Sequence, residues 1–470
     1  MKRWQCRWGI LLVFVLVWPA AARSAEWKAG AAKVVITPSQ SMWMSGYAAR
    51  KSPAEGKLTD LWAKALVVED ARGERLVFVT LDLIGLDREL SLEIRRQLEQ
   101  RYGLERRQIA LLCSHTHTGP VVGRNLASMY FLDDQQWKLI EEYAARVRRE
   151  IVHVVGEAIR RLGPAELVRA TGTAAFAVNR RNNRAADVPR LRAEGKLKGP
   201  VDHDVPVLAV RKDGKWSAVV FGYACHATTL SSLEWSGDYP GFAQIELEKA
   251  HPGTIALFWA GCGADQNPLP RRKVELAKKY GRALAEAVDK VLDGPMHPVT
   301  GCVASAYEEI DLAFDKLPTR EQLEEDTQST NRYVASRARL LLERIEREGR
   351  LPSHYPYPIQ TWRVGSEVVF VILGGEVVVD YALRLKRELG ADTTWVAGYA
   401  NDVMAYIPSL RVLREGGYEG VGAMVYYGLP CAWAPTVEEH IMRTVHAQVE
   451  RLRAQPCPTS KSQRPKRDHG

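Results

Sequence analysis

The 470-residue chain is 46% hydrophobic and 26% charged, a balance that supports a buried core and excludes disorder along most of its length. Its formal net charge of +9 gathers at the ends, in Lys2, Arg3 and Arg7 and in Arg451, Arg453, Lys461, Arg464, Lys466 and Arg467 against Asp468. The nearly neutral body between them lacks the basic footprint that phosphate backbones select, so no nucleic-acid partner is expected.

In chain order, the basic start is followed by an apolar run from Gly9 to Trp18 and by Pro19-Ala20-Ala21-Ala22. The run is too short to span a bilayer, so residues 1–22 are expected to be a signal peptide and the protein to be secreted or periplasmic. Residues 77–84 and 109–113 read as short buried strands around a helix-periodic segment at 88–101. The alternation continues with a helix at about 135–161, strands near 206–210 and 216–224, and a helix near 239–249. A strand at 254–259, a helix at 273–292, a helix-rich insertion at 317–350, a strand at 368–372 and a helix at 377–389 complete it. Strands alternating with helices predict an α/β fold, with layered mixed β-sheets and flanking helices. One domain is expected over residues 23–450, followed by a disordered basic tail at 451–470. Of the six cysteines after the leader, Cys113 and Cys225 lie on strand-like runs and read as buried thiols at least as readily as bridges; any bridge is expected first at Cys225–Cys262.

Apolar strands that run into polar, Gly-containing loops place those loops where ligands bind. Four such loops stand out, at 114–119, 226–229, 261–268 and 373–376, and they predict a metal site at strand ends. In the first, His115 and His117 are two apart, so an extended backbone points both to one side. A metal ligand beside a second imidazole fits that pair, as does a pair of ordinary loop histidines. His226 sits where another apolar strand gives way to small hydroxylic residues, and a satisfied core histidine fits there too. Together with His115 it points to zinc, which takes several donors from separate elements and leaves one position open for catalysis.

Four motifs occur in order: Ser114-His-Thr-His-Thr-Gly-Pro120, the Cys225-His-Ala-Thr-Thr229 segment, Leu373-Gly-Gly-Glu376 and Gly398-Tyr-Ala-Asn-Asp-Val-Met-Ala-Tyr-Ile-Pro408. As a set they resemble the catalytic domain of neutral/alkaline non-lysosomal ceramidases. The resemblance implies a zinc ion (Zn2+) held by His115, His226, Glu376 and Tyr406. It also places His117, Arg180 and Tyr418 around the substrate's carbonyl and leaving group. His117 is then expected to relay a proton, and Arg180 and Tyr418 to donate to a developing oxyanion. The implied substrate is a small molecule or lipid, which brings contact with a membrane surface within range. On residue chemistry alone, Glu376 reads equally as a helix-start carboxylate, Tyr406 as a ring packed beside Met404 and Ile407, and Arg180 as part of a solvated basic loop.

The sequence departs from the family in one loop. Where ceramidases are similar in carrying Gly-Asp-x-Ser-Pro-Asn, with a serine expected to attack the amide, this chain has Gly261-Cys-Gly-Ala-Asp-Gln-Asn-Pro268. Anchored on Asn267, the serine position falls on Asp265. Three expectations follow: a zinc hydrolase in which activated water attacks with Asp265 as its base, a covalent hydrolase using Cys262, or a non-catalytic zinc-stabilised lipid- or glycan-binding module.

Overall fold

The computed structural model describes residues 27–457. The expected signal peptide and the tail beyond 457 lie outside the described residues. Eight strands form most of the larger sheet: β1 (Trp27–Val35), β2 (Trp62–Asp70), β3 (Arg75–Leu81), β4 (Ile109–Cys113), β5 (Gly163–Thr173), β6 (Asp204–Lys212), β7 (Lys215–Tyr223) and β8 (Ile255–Ala260). Their order is β8-β7-β6-β5-β1-β2-β3-β4, and the short strand His297–Pro298 pairs with β5 as the ninth. Only β3/β4 and β7/β8 run parallel. A second sheet holds β9 (Val303–Ala313), β10 (His354–Val364), β11 (Val368–Leu373) and β12 (Thr394–Ala397) in that order, with β11/β12 parallel.

The two sheets share a core. Phe78 and Trp259 from the larger sheet meet Trp362 and Phe370 from the smaller, with ring centroids 4.9 Å apart for Phe78–Trp362 and 5.0 Å for Trp259–Phe370. Each ring buried there contributes roughly 1.5–3 kcal/mol by leaving water. Helices cover the outer faces. On the larger sheet these are α1 (Arg88–Tyr102), α2 (Asp134–Arg160), α3 (Asp238–Ala250) and α4 (Val274–Asp293); the smaller is covered by α5 (Val379–Leu389) and α6 (Val437–Ala454). The layered α/β expectation is met, and the segment expected as a helix-rich insertion carries helices at Arg320–Asp326 and Arg332–Glu348.

Two expectations are corrected. Helix α6 passes the expected boundary at 450 and ends at Ala454, and Cys457 is disulfide-bonded to Cys302. The bridge expected at Cys225–Cys262 does not form, because the two thiols point to different carbonyls, Cys225 to His226 and Cys262 to Val396 on β12.

Candidate functional site

The parallel strand pairs of the two main sheets release their chains at carboxyl ends, and the functional loops start there: His115 follows β4, His226 follows β7, Gly261 follows β8, Glu376 follows β11 and Tyr399 follows β12. Backbone in the left-handed region clusters at these ends, at His115 (φ 58°), Tyr399 (φ 53°) and Asn401 (φ 63°). Such strain in non-glycine residues persists where surrounding structure over-determines it and collects at sites.

His115 and His226 are both buried. The Nδ1 of His115 lies 2.6 Å from the Ile84 carbonyl, and that of His226 lies 3.1 Å from the Gly263 carbonyl. A carbonyl only accepts, so each Nδ1 carries the proton and each Nε2 presents a lone pair. These Nε2 atoms are 3.1 Å apart. Glu376 Oε2 lies 3.2 Å from each of them and has no hydrogen-bond donor among the described residues, while its Oε1 accepts from the Tyr427 hydroxyl. Three unprotonated donor atoms in so small a triangle repel one another unless they share a cation. Two imidazoles and a carboxylate are a set that zinc takes, and the backbone carbonyls behind the rings orient them as metal-binding histidines require. Burial, then the charge of Arg180, pushes His226 down to about 4, which keeps it neutral and able to donate its lone pair.

His117 lies beside this triangle. Its Nε2 is 3.2 Å from His115 Nε2, and its buried Nδ1 has no partner among the described residues. The three imidazoles form one cluster able to hold a metal ion. Gly46 (φ 92°) makes room for the His117 ring, since a Cβ there would fall 2.4 Å from Nδ1. Burial, reinforced by His115 and His226, holds His117 well below the usual imidazole range.

Glu376 is not at a helix start. Residues Glu376–Val377 form a two-residue strand paired with Tyr406–Ile407, and α5 begins only at Val379. That pairing sets Tyr406 beside Glu376, with its ring parallel to His226 at 6.4 Å. Its hydroxyl accepts from Arg180 Nη2 at 3.0 Å. Arg180 is not a solvated loop residue: Nε donates to Glu419 Oε1 at 2.7 Å, and its guanidinium lies 5.8 Å from the centroids of both Tyr406 and Tyr418. Tyr418 stands at the rim, 47% exposed, edge-on to Tyr406 at 5.3 Å.

Asp265 is placed differently from the expected proton acceptor. The strand Gln266–Pro268 pairs with Ala177–Asn179, and the Asp265 side chain turns inward. Oδ1 accepts from the Val379 amide at 2.9 Å, at the start of α5, and Oδ2 accepts from Asn179 Nδ2 at 3.0 Å. Burial raises its carboxyl to about 6. Both oxygens are thus engaged in holding the helix that follows Glu376 and the segment that carries Arg180. Cys262 is fully buried and burial raises its thiol well above the usual range, the opposite of an activated nucleophile.

Sequence reasoning missed Tyr427, Glu419 and Tyr399. The Tyr399 ring packs on His115 at 4.2 Å and its hydroxyl lies 3.3 Å from His226 Nδ1. Tyr399 lay inside a recognised motif and Glu419 beside Tyr418, whereas Tyr427 lay outside any.

The fold and site together define an α/β protein with a buried imidazole–carboxylate cluster at strand ends. The family description "Neutral/alkaline non-lysosomal ceramidase, N-terminal" matches residues 27–262. The chain belongs to that family. It is 26% identical over 257 residues to the neutral ceramidase of Pseudomonas aeruginosa, covering 53% of this chain and 38% of that protein. Over 306 residues it is 26% identical to neutral ceramidase 1 of Arabidopsis thaliana, covering 63% of this chain and 39% of the relative. The matched regions therefore span about two-fifths of these curated relatives. A crystal structure of the Pseudomonas aeruginosa neutral ceramidase has the same fold, with a TM-score of 0.71 at 20% identity over 93% of this chain and 76% of that one.

Proposed function

We propose that this chain is an exported zinc-dependent hydrolase that cleaves the amide bond of an N-acylated small or lipid-like substrate with water as the nucleophile. The observation that carries the reading is the triangle of His115 Nε2, His226 Nε2 and Glu376 Oε2 at 3.1–3.2 Å, with the Nδ1 of each imidazole turned to a backbone carbonyl. These residues would hold the ion, with Tyr406 beside them. When bound, zinc supplies Lewis acidity toward a carbonyl oxygen and lowers the pKa of water to about 7.

The remaining steps fall to the chain's own groups. His117, neutral and adjacent to the triangle, takes the proton that the attacking water releases and passes it to the leaving amine. Arg180 and Tyr418 donate hydrogen bonds to the oxyanion as the carbonyl becomes tetrahedral. Water as nucleophile is supported by the 261–268 loop, which offers no serine and only an inert thiol. Asp265 supports the site by fixing α5 and the Arg180 segment. Relatives are named neutral ceramidases, so an N-acyl amide is the first substrate class and an ester the second; a lipid-like substrate would bring the rim to a membrane surface.

The test is a panel of N-acyl amides, esters and phosphoesters, assayed with the zinc-loaded protein and after chelation. Amide hydrolysis that disappears on chelation and returns with zinc is expected. Turnover insensitive to chelator, or of phosphoesters alone, overturns the reading.

A further inference from the structure

Beside His117 the protein gathers positive charge that no carboxylate pairs with among the described residues. Arg50 donates from Nη2 to the His117 carbonyl at 2.8 Å and from Nη1 to the Ser232 carbonyl at 3.0 Å, and its buried Nε has no partner among the described residues. Arg50 and Arg272 flank a single ring: their guanidiniums lie 5.3 Å and 4.6 Å from the Tyr47 centroid. Tyr47 in turn packs 4.8 Å from the His117 ring. Arg271 precedes Arg272 and feels the charge of Arg272, Tyr47 and Arg180.

Among the described residues, none of Arg50, Arg271 and Arg272 is ion-paired. Arg180 and Arg181, by contrast, share Glu419. The acid that acts on Arg271 and Tyr47 is Asp238, which is fully buried and takes the backbone amides of Leu230 and Tyr239. The backbone also holds this charge under strain. Arg272 has φ 84°, pinned by its amide bond to the Thr229 carbonyl at 2.6 Å. Guanidiniums crowded at one rim without a paired carboxylate repel one another, and a planar or tetrahedral anion relieves that repulsion with charge-assisted hydrogen bonds.

We propose that the substrate of this site carries an anionic group close to the scissile amide, a carboxylate or its sulfonate or phosphate counterpart, which docks on Arg50, Arg271 and Arg272 at the Tyr47 side of His117. This inference rests on the hydrolase reading above. It separates the chain's substrate from an uncharged N-acyl amide.

Substrates with one common acyl chain test it: an N-acylglycine, an N-acyltaurine and an N-acylethanolamine phosphate against the uncharged N-acylethanolamine. The arms distinguish a carboxylate from a sulfonate and from a phosphorylated headgroup. The anionic members are expected to have kcat/KM on the order of 10- to 100-fold above the uncharged one, the size of one to two charge-assisted bonds. That preference is expected to shrink at high salt and to fall about tenfold in Arg272→Gln or Arg271→Gln. An uncharged substrate cleaved as well as the anionic ones, or an undiminished preference in both variants, overturns the proposal while leaving the hydrolase reading intact. If no amide is cleaved, the hydrolase reading fails and binding decides the anion. N-acetylglycine binding at least about tenfold more tightly than N-acetylglycinamide by calorimetry, with the gap narrowed in Arg272→Gln, upholds the anionic subsite, and equal binding overturns it.

Discussion

Glu419 is the residue through which the structure fixes Arg180, and Glu419→Gln isolates that role. The carboxylate is buried between two arginines, with Oε1 2.7 Å from Arg180 Nε and Oε2 2.7 Å from Arg181 Nη1. A glutamine retains one acceptor, so one charge-assisted bond is lost, a loss of about 1.5–3 kcal/mol. The buried guanidiniums also lose their counter-charge, although Arg181 keeps Glu415 at 3.0 Å. The expected loss of stability in urea denaturation is therefore about 2–4 kcal/mol. Arg180 also loses the contact that aims Nη2 at the Tyr406 hydroxyl, so kcat for an amide substrate is expected to fall at least about tenfold, with KM changing less. A double-mutant cycle with Arg180→Gln should return a coupling of about 1–3 kcal/mol. Stability within about 0.5 kcal/mol of the parent together with unchanged kcat would refute the assignment of Glu419 as the positioning residue.

Asp265→Asn sets two amide donors face to face at Asn179 and is expected to lower stability by about 1–3 kcal/mol. Its effect on kcat should stay well below the roughly 100-fold minimum of a lost general base, and steady-state kinetics on the folded variant checks this. Asp402 is buried with Tyr355 donating to Oδ2 at 2.7 Å, and burial raises its carboxyl to about 7. Its unfolded counterpart releases the proton near 4, so the native state binds the extra proton between those values. This contribution to stability is full below about pH 4 and is lost as pH rises through about 7. In Asp402→Asn the decline in stability between pH 4 and 7 is expected to be shallower, as thermal unfolding across pH would show. Mass spectrometry of protein recovered outside the cytoplasm is expected to find an amino terminus near Arg23, and an intact Met1 would contradict the export proposal.

The strand ends were legible because each functional loop follows a short apolar run, and the run's end is written in small and polar residues such as Ser114, Ala224 and Gly261. The two flanks of the larger sheet, β6 to β8 and β3 with β4, were equally legible, whereas its middle strands β5, β1 and β2 were not; β5, for one, mixes buried and exposed residues along a polar sequence and leaves no apolar signature. Side-chain direction inside a loop was not legible. Asp265 lies in the loop that follows β8, yet the pairing of Gln266–Pro268 with Ala177–Asn179 turns its carboxylate toward α5. Glu376 looked like a helix-start acid because the two-residue strand it forms with Tyr406 depends on a partner thirty residues on. Tyr427 on Glu376 and Glu419 on Arg180 are contacts across 51 and 239 residues, distances over which periodicity carries no information. The Cys302–Cys457 bridge likewise joins positions 155 residues apart, which spacing alone cannot pair.

The most direct test of the zinc centre is elemental analysis of the purified protein beside His226→Ala and Glu376→Gln. About one zinc per chain is expected in the parent, because two imidazoles and a carboxylate converge on one point. Each variant removes one of those donors and is expected to lose stoichiometric metal. A parent protein that takes up no zinc, or variants that both retain a full equivalent, would contradict the account.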